Sequence, residues 1–111
     1  MNQKFKSCIE ACLACATACN QCATECLNEE DVKKQIKCIQ LDRQCAVICM
    51  ACAQLMAIGA DHASHLCKEC AEICNACAEE CEKHAAMGME HCRECAETCR
   101  KCAAECEAMA S

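Results

Sequence analysis

Twenty of the 111 residues are cysteine, and they fall into four groups with a helical spacing. Nearly all steps within the groups alternate between three and four residues, which keeps the side chains on one face of an α-helix. A thiolate is a nucleophile and a ligand for soft metals, so the pattern places metal or redox chemistry along four helix faces. The groups are Cys8, Cys12, Cys15, Cys19, Cys22 and Cys26; Cys38, Cys45, Cys49 and Cys52; Cys67, Cys70, Cys74, Cys77 and Cys81; and Cys92, Cys95, Cys99, Cys102 and Cys106.

The same spacing, continued through each group, gives six inward positions per helix, and 20 of the resulting 24 are cysteine. The other four are Asp42, Met56, His84 and Met109, and each of these residue types can bind a metal. Antiparallel helices would stack the positions into layers over about 27 Å, at ~1.5 Å per residue. The end layers are predicted to hold Cys26, Cys38, His84 and Cys92, and Cys8, Met56, Cys67 and Met109.

Short breaks between the groups predict where the helices end. Residues 28–31 separate the first two groups, Gly59 suits the position after a helix, and Asp61 can cap the next helix. Gly88 lies between the third and fourth groups. Short loops favour antiparallel neighbours. We therefore predict an all-α, antiparallel up-down-up-down four-helix bundle with a cysteine-lined core, formed by residues 1–111 as one domain.

The composition excludes several other classes of protein. Aromatic residues make up 1% of the chain, proline is absent and there are two glycines, which argues against an all-β or disulfide-knot fold. A net charge of -6 without a basic patch argues against nucleic acid or an anionic membrane as a partner. No stretch approaches ~18 apolar residues, so no membrane-spanning helix is expected. Glu10 interrupts the N-terminal apolar run, so we expect no signal peptide and a cytosolic location, where thiols stay reduced.

Explanations other than metal binding account less well for the twenty thiols. A secreted disulfide scaffold conflicts with the expected location. If cysteine were merely a small core residue, aliphatic side chains would share the inward positions. A redox or peroxide-sensing dithiol needs one reactive pair at a helix start rather than four long stripes. An enzyme is not expected, because serine is scarce and the chain has no glycine-rich phosphate loop or distinctive acid–base pair.

Charge distinguishes between the metals that thiolates select. About five Zn²⁺ ions, with four ligands each, would leave a large excess of negative thiolate charge in a narrow core. About one Cu(I) per cysteine, held by two or three bridging thiolates, would leave that core neutral. We therefore predict storage of many Cu(I) ions by all twenty cysteines. A zinc or general heavy-metal thiolate buffer is the alternative.

The repeated C-x3-C and C-x2-C motifs, as in Cys8–Cys12 and Cys70–Cys74, cover essentially the whole chain. With these motifs the chain resembles the cytosolic branch of the bacterial four-helix-bundle copper storage proteins. The resemblance implies that the cysteines bind Cu(I) inside the bundle, that the bundle forms a homotetramer, and that copper enters at one end through Met or His residues. It also makes a cytosolic copper chaperone a candidate partner. Asp42 departs from the pattern where a further cysteine would continue the stripe.

Further metal-binding side chains are found near the predicted bundle ends. A copper port is predicted at the turn around Gly88, formed by His84, Met87, Met89 and His91. The competing hypothesis places the port at the opposite end, past Met56, His62, His65 and Met109, although His62 and His65 are expected to face solvent.

Apolar residues outside the cysteine stripes have two expected roles. One set is expected to plug the bundle end opposite Gly88, and comprises Phe5, Leu55, Ile58 and Leu66. The second set contains more apolar residues than the core of one bundle requires, and we expect it to form helix–helix contacts and an oligomer interface. It comprises Ile9, Leu13, Ile36, Ile39, Val47, Ile48 and Met50.

Overall fold

The computed structural model describes residues 3–110, with side chains described over residues 5–110. Its long helices are α1 (Gln3–Leu27), α2 (Ile36–Ile58), α3 (Ala63–Ala85) and α4 (Glu90–Met109), and a short 3₁₀ turn (Val32–Gln35) leads into α2. Every regular element in this range is helical. The alternation of three- and four-residue steps therefore predicted the elements and their order correctly.

The four helices form an elongated antiparallel bundle of about 44 × 18 × 17 Å. Helix α1 packs against α2 and α4, and α3 packs against the same two helices. Each pair that is consecutive along the chain is joined by a short loop, which favours antiparallel neighbours. The predicted up-down-up-down bundle is confirmed.

The loops agree with the predicted breaks in all but one detail. Gly59 ends α2 in the left-handed region, at φ 77°, and its N–H donates to the carbonyl oxygens of Leu55 and Met56, each at 3.1 Å. Glycine suits this position because it has no Cβ to clash there. The prediction that Asp61 caps α3 is wrong, because His62 occupies the N-cap position and no side chain makes a capping hydrogen bond.

Cysteine and alanine fill the interior of the bundle. Every cysteine is buried, and the small buried side chains beside the stripes include Ala16, Ala46, Ala53, Ala71, Ala78, Ala96 and Ala103. Short side chains at helix contacts permit close approach of the helix axes, which narrows the core around the thiols. Three members of the expected plug, Phe5, Leu55 and Leu66, pack partly buried against this core, but Ile58 is 75% exposed and lies outside it.

One helical segment has a high mean hydropathy over much of its length. Residues Val32–Ile58 are long and apolar enough to cross a membrane by length and composition alone. The expectation concerned an uninterrupted run of ~18 apolar residues, which this segment does not contain, because Lys37, Asp42 and Arg43 interrupt it. A core helix of a bundle passes the same test, and the cysteines of α2 pack against the other three stripes.

Candidate metal centre

The twenty thiols form one continuous, buried file along the bundle axis. All are free, and neighbouring sulfurs lie 3.4 Å apart for Cys52 and Cys67 and up to 4.0 Å apart for Cys45 and Cys49. A disulfide needs a separation of about 2.05 Å. The file is therefore a reduced set of ligands, with sulfurs close enough for one ion to contact several of them.

Sets of four sulfurs lie within 4.8 Å of one another along the file. Several thiols belong to more than one set, so the sets overlap rather than form separate sites. They include Cys12, Cys70, Cys102 and Cys106; Cys15, Cys45, Cys49 and Cys74; Cys15, Cys19, Cys45 and Cys99; Cys19, Cys77, Cys95 and Cys99; and Cys22, Cys26, Cys38 and Cys92.

The overlap of the four-sulfur sets distinguishes between Zn²⁺ and Cu(I) better than the sulfur–sulfur distances do. A tetrahedral ZnS₄ site with bonds of about 2.3 Å has sulfurs ~3.8 Å apart, which matches many of the observed separations. Independent tetrahedral sites, however, do not share their ligands. Shared thiols such as Cys15 and Cys45 suit ions of low coordination number that are bridged by sulfur, which is the preference of Cu(I).

Burial opposes ionisation of the core thiols, because a thiolate loses its hydration when it is removed from water. Removal from water raises the pKa of the Cys67 thiol, and its hydrogen bond with Cys52 raises it further. A metal must therefore displace protons from the thiols, and each bound ion replaces the charge of the proton it removes. A monovalent ion leaves the charge of the core unchanged.

Asp42 lies within the file, where the stripe of α2 lacks a cysteine. It is fully buried, and its Oδ1 accepts from Cys77 at 3.2 Å, Cys95 at 3.5 Å and Cys81 at 3.7 Å. Desolvation and the neighbouring Cys95 sulfur raise the pKa of this carboxyl to about 8. Asp42 thus occupies its predicted inward position and links thiols from α3 and α4.

The bundle end beyond Cys8 and Cys67 carries a thioether. Met56 is buried, and its Sδ lies 3.8 Å from the Cys67 sulfur. Met109 is half-buried against the core, whereas His62 and His65 are exposed with their ring centroids 5.8 Å apart. The structure places both methionines where the stripe predicted them and both histidines in solvent, as expected.

At the other end, His84 is buried beside a carboxylate of its own helix. Its Nε2 lies 2.9 Å from Oε2 of Glu80, while its buried Nδ1 has no hydrogen-bond partner among the residues that the structure describes. Burial opposes ionisation of Glu80, but His84, Lys83 and Lys37 together hold the pKa of Glu80 below its usual value. Glu80 was not among the predicted residues, although its i, i+4 spacing from His84 was visible in the sequence.

The four residues of the predicted port do not meet at one point in the described contacts. His91 is half-buried on the α1 side, with Nε2 3.6 Å from the Cys26 sulfur and Nδ1 3.8 Å from Glu25. Met89 packs partly buried against the core, and Met87 is 69% exposed. His84 pairs with Glu80 of its own helix, whereas His91 contacts residues of α1. The two imidazoles therefore lie on different sides of this bundle end.

These features define a bundle that holds many soft metal ions in one shared thiol core. The family model for copper storage proteins matches residues 1–111, and the chain belongs to that family. A search of curated protein sequences finds no match.

Solved structures of the same fold are similar over almost the whole chain. Cu(I)-bound copper storage protein BsCsp3 is 42% identical, covering 98% of this chain and 100% of that one, with a TM-score of 0.91. Apo copper storage protein 3 from Bacillus subtilis is 42% identical over 96% of this chain and 99% of that one, with a TM-score of 0.89. A cytosolic copper storage protein from Streptomyces lividans, with five coppers, is 42% identical over 96% and 92%, with a TM-score of 0.91.

Proposed function

We propose that this protein stores Cu(I), at about one ion per cysteine, in the thiol file that runs along its core. The observation that carries the proposal is the overlap of the four-sulfur sets, in which thiols such as Cys15 and Cys19 serve two sets each. Bridging thiolates allow the number of ions to approach the number of sulfurs. The family relationship and the Cu(I)-bound relative BsCsp3 support the same cargo.

Charge balance supports the proposed capacity. Each Cu(I) that replaces a thiol proton leaves the core neutral, whereas a divalent ion at the same ratio would add one positive charge per site. Uncompensated charge is costly in a core from which water is excluded. The buried acid Asp42 adds at most one negative charge to the file.

Uptake is proposed to begin at the bundle end that carries His84 and His91. The Nδ1 of His84, which has no hydrogen-bond partner in the described part of the chain, and the ring of His91 beside Cys26 provide nitrogen ligands near the terminal thiols. A neutral imidazole holds Cu(I) less tightly than a thiolate, which suits a ligand that passes the ion inward. Met89 and the exposed Met87 extend this set towards solvent.

The remaining assignments belong to the same proposal. Residues 1–111 act as one domain with a storage role rather than a catalytic one, in the cytosol, as the S. lividans relative is described. The protein forms homo-oligomers, tetramers by family resemblance, through exposed apolar residues such as Val47 and Ile36, which are 72% and 50% exposed. A cytosolic copper chaperone is the proposed donor.

An anaerobic titration of reduced protein with Cu(I) against a chromophoric competitor tests the storage function. We expect capacity to approach one ion per thiol, or about twenty ions. The same titration with Zn²⁺ is expected to saturate near five ions, at four thiolates per ion. Equal capacities near five for both metals would support the zinc or heavy-metal buffer instead.

A further inference from the structure

A groove of about 830 Å³ runs along the outside of the bundle between α1 and α4. Its lining includes two buried thiols, a half-buried imidazole and exposed carboxylates, namely Cys22, Cys95, His91, Glu25, Glu90 and Glu94. The groove opens on the side of the bundle, and it extends from Glu90 and His91 near the Gly88 end towards Ala18 and Thr98.

The two cysteines in the groove differ in exposure from the rest of the file. Cys22 is 2% exposed and Cys95 is 1% exposed, whereas the other cysteines are fully buried at 0%. A groove between α3 and α4, lined by Ala85, Ala96 and Arg100 among others, has no cysteine in its lining. The small solvent exposure found among the cysteine residues is therefore confined to the α1–α4 side.

The groove reaches two different parts of the file. Cys22 belongs to the four-sulfur set with Cys26, Cys38 and Cys92, near the Gly88 end. Cys95 belongs to a more central set and lies 3.5 Å from Asp42 Oδ1. An ion that arrives through the groove can reach the central set at Cys95 without first binding Cys26, Cys38 or Cys92.

We propose that the α1–α4 groove is a lateral exchange site for a soft monovalent cation, through which Cu(I) reaches and leaves the file at Cys22 and Cys95. The carboxylates of Glu25 and Glu94 create a negative potential that concentrates cations there, whereas Glu90 is paired with Arg93. Each incoming Cu(I) forms a bond to sulfur as the thiol proton leaves to solvent, so charge is conserved and no electron is transferred. The proposal rests on the proposed storage function and adds a second route to it.

Thiol labelling tests whether the groove admits small molecules to the file. Reduced, metal-free protein is treated with a limiting amount of iodoacetamide, a small neutral alkylating agent, and the modified positions are mapped by mass spectrometry. We expect Cys22 and Cys95 to be labelled ahead of the other cysteines in the folded protein, and labelling to become uniform in denaturant. Labelling that favours the terminal thiols Cys8, Cys67 or Cys92 would overturn the lateral site.

Closing the groove tests its role in copper exchange. Ala18 and Thr98 line the groove, and the double variant Ala18→Leu/Thr98→Leu fills it without removing a ligand. We expect a several-fold slower loss of Cu(I) from the loaded protein to a chromophoric chelator, with unchanged final capacity. Ala85→Leu, in the groove without cysteines, is the matched control and should leave the rate unchanged.

The outcomes separate this proposal from the storage proposal. Full capacity with a wild-type exchange rate in the double variant would overturn the lateral site and leave storage intact. A wild-type capacity near five Cu(I) rather than near twenty would instead contradict storage at one ion per thiol. Circular dichroism of each variant verifies that the bundle is folded before rates are compared.

Discussion

The sulfur of Cys77 lies 3.2 Å from Oδ1 of Asp42, closer than the sulfurs of Cys95 and Cys81, which contact the same oxygen at 3.5 and 3.7 Å. One buried carboxyl therefore takes the place of a thiol in the stripe of α2 and contacts thiols of α3 and α4. Its position gives the core a titratable group that is fully removed from water.

Replacing Asp42 should change how the stability of the metal-free protein depends on pH. The pKa of this carboxyl rises from 3.8 to about 8 on folding, so the folded state keeps a proton that the unfolded chain has lost. The native carboxyl thus lowers stability progressively as the pH rises from 3.8 towards 8, and has no such effect below that window. We expect Asp42→Asn to remove this loss, a relative gain on the order of a few kcal/mol at pH 8.

Urea unfolding of reduced, metal-free protein at several pH values measures the effect. Asp61→Asn, at an exposed position, is the matched control and should follow the wild-type curve. Parallel pH profiles for the wild type and Asp42→Asn would contradict the raised pKa.

Capacity should follow the number of thiols in the file. Replacing Cys15, Cys45, Cys49 and Cys74, which form one four-sulfur set, by alanine should lower Cu(I) capacity by roughly four ions on the argument of charge balance. Replacing the exposed His62 and His65 by alanine should leave capacity unchanged. Competitive titration gives the number, and circular dichroism reports whether the helices survive. An unchanged capacity in the quadruple variant would show that these thiols serve packing alone.

The two ends of the bundle should differ in the rate at which copper loads. Changing His84, Met87, Met89 and His91 to alanine should slow Cu(I) uptake in stopped-flow measurements and leave the final capacity nearly unchanged. The comparison variant changes Met56, His62, His65 and Met109. Slow loading in the comparison variant together with wild-type loading in the first would place the port at the Met56 end.

Glu80 should influence early copper uptake by positioning His84. Its hydrogen bond to Nε2 holds the imidazole with Nδ1 free, the arrangement that carboxylates give to metal-binding histidines. We expect Glu80→Ala to slow uptake as His84→Ala does, and Glu80→Gln, which keeps a hydrogen-bond acceptor, to recover part of the rate. Glu79→Ala, at the exposed neighbouring position, is the control.

A purely structural role for Glu80 would give a different pattern. Loss of the carboxylate leaves a buried imidazole without its partner and costs about 1–3 kcal/mol of stability. If Glu80→Ala lowers the urea midpoint but loads copper at the wild-type rate, Glu80 supports the fold and not the port.

The fold was predictable because nearly every inward position carries the same residue type. Cysteine steps of three and four mark the buried face of each helix directly, and Gly59 and Gly88 mark two of the breaks. Asp61 was misassigned because a capping residue type does not by itself fix which residue begins the helix. The hydropathy of α2 is high because the helix adds Leu41, Val47, Ile48, Leu55 and Ile58 to its cysteines and alanines.

The candidate site was predictable in its ligands but less so in its surroundings. The stripe placed Asp42, Met56 and His84 in the interior, where the structure has them. The sequence did not reveal that His84 and His91 face different partners, because this depends on how each side chain turns at a helix end. The groove between α1 and α4 was also not predicted, since the gap between two helices depends on packing across the whole bundle.

Four thiols each belong to two four-sulfur sets, namely Cys15, Cys19, Cys45 and Cys99. Ions bound at these sets therefore share ligands with their neighbours. The free energy released by each arriving ion depends on how many sulfurs its predecessors have already bridged, so affinity becomes a function of occupancy. A single dissociation constant therefore cannot describe Cu(I) binding over the whole range of occupancy. The free Cu(I) concentration in equilibrium with the protein therefore changes as the protein fills. That concentration reports how many ions the protein has already bound.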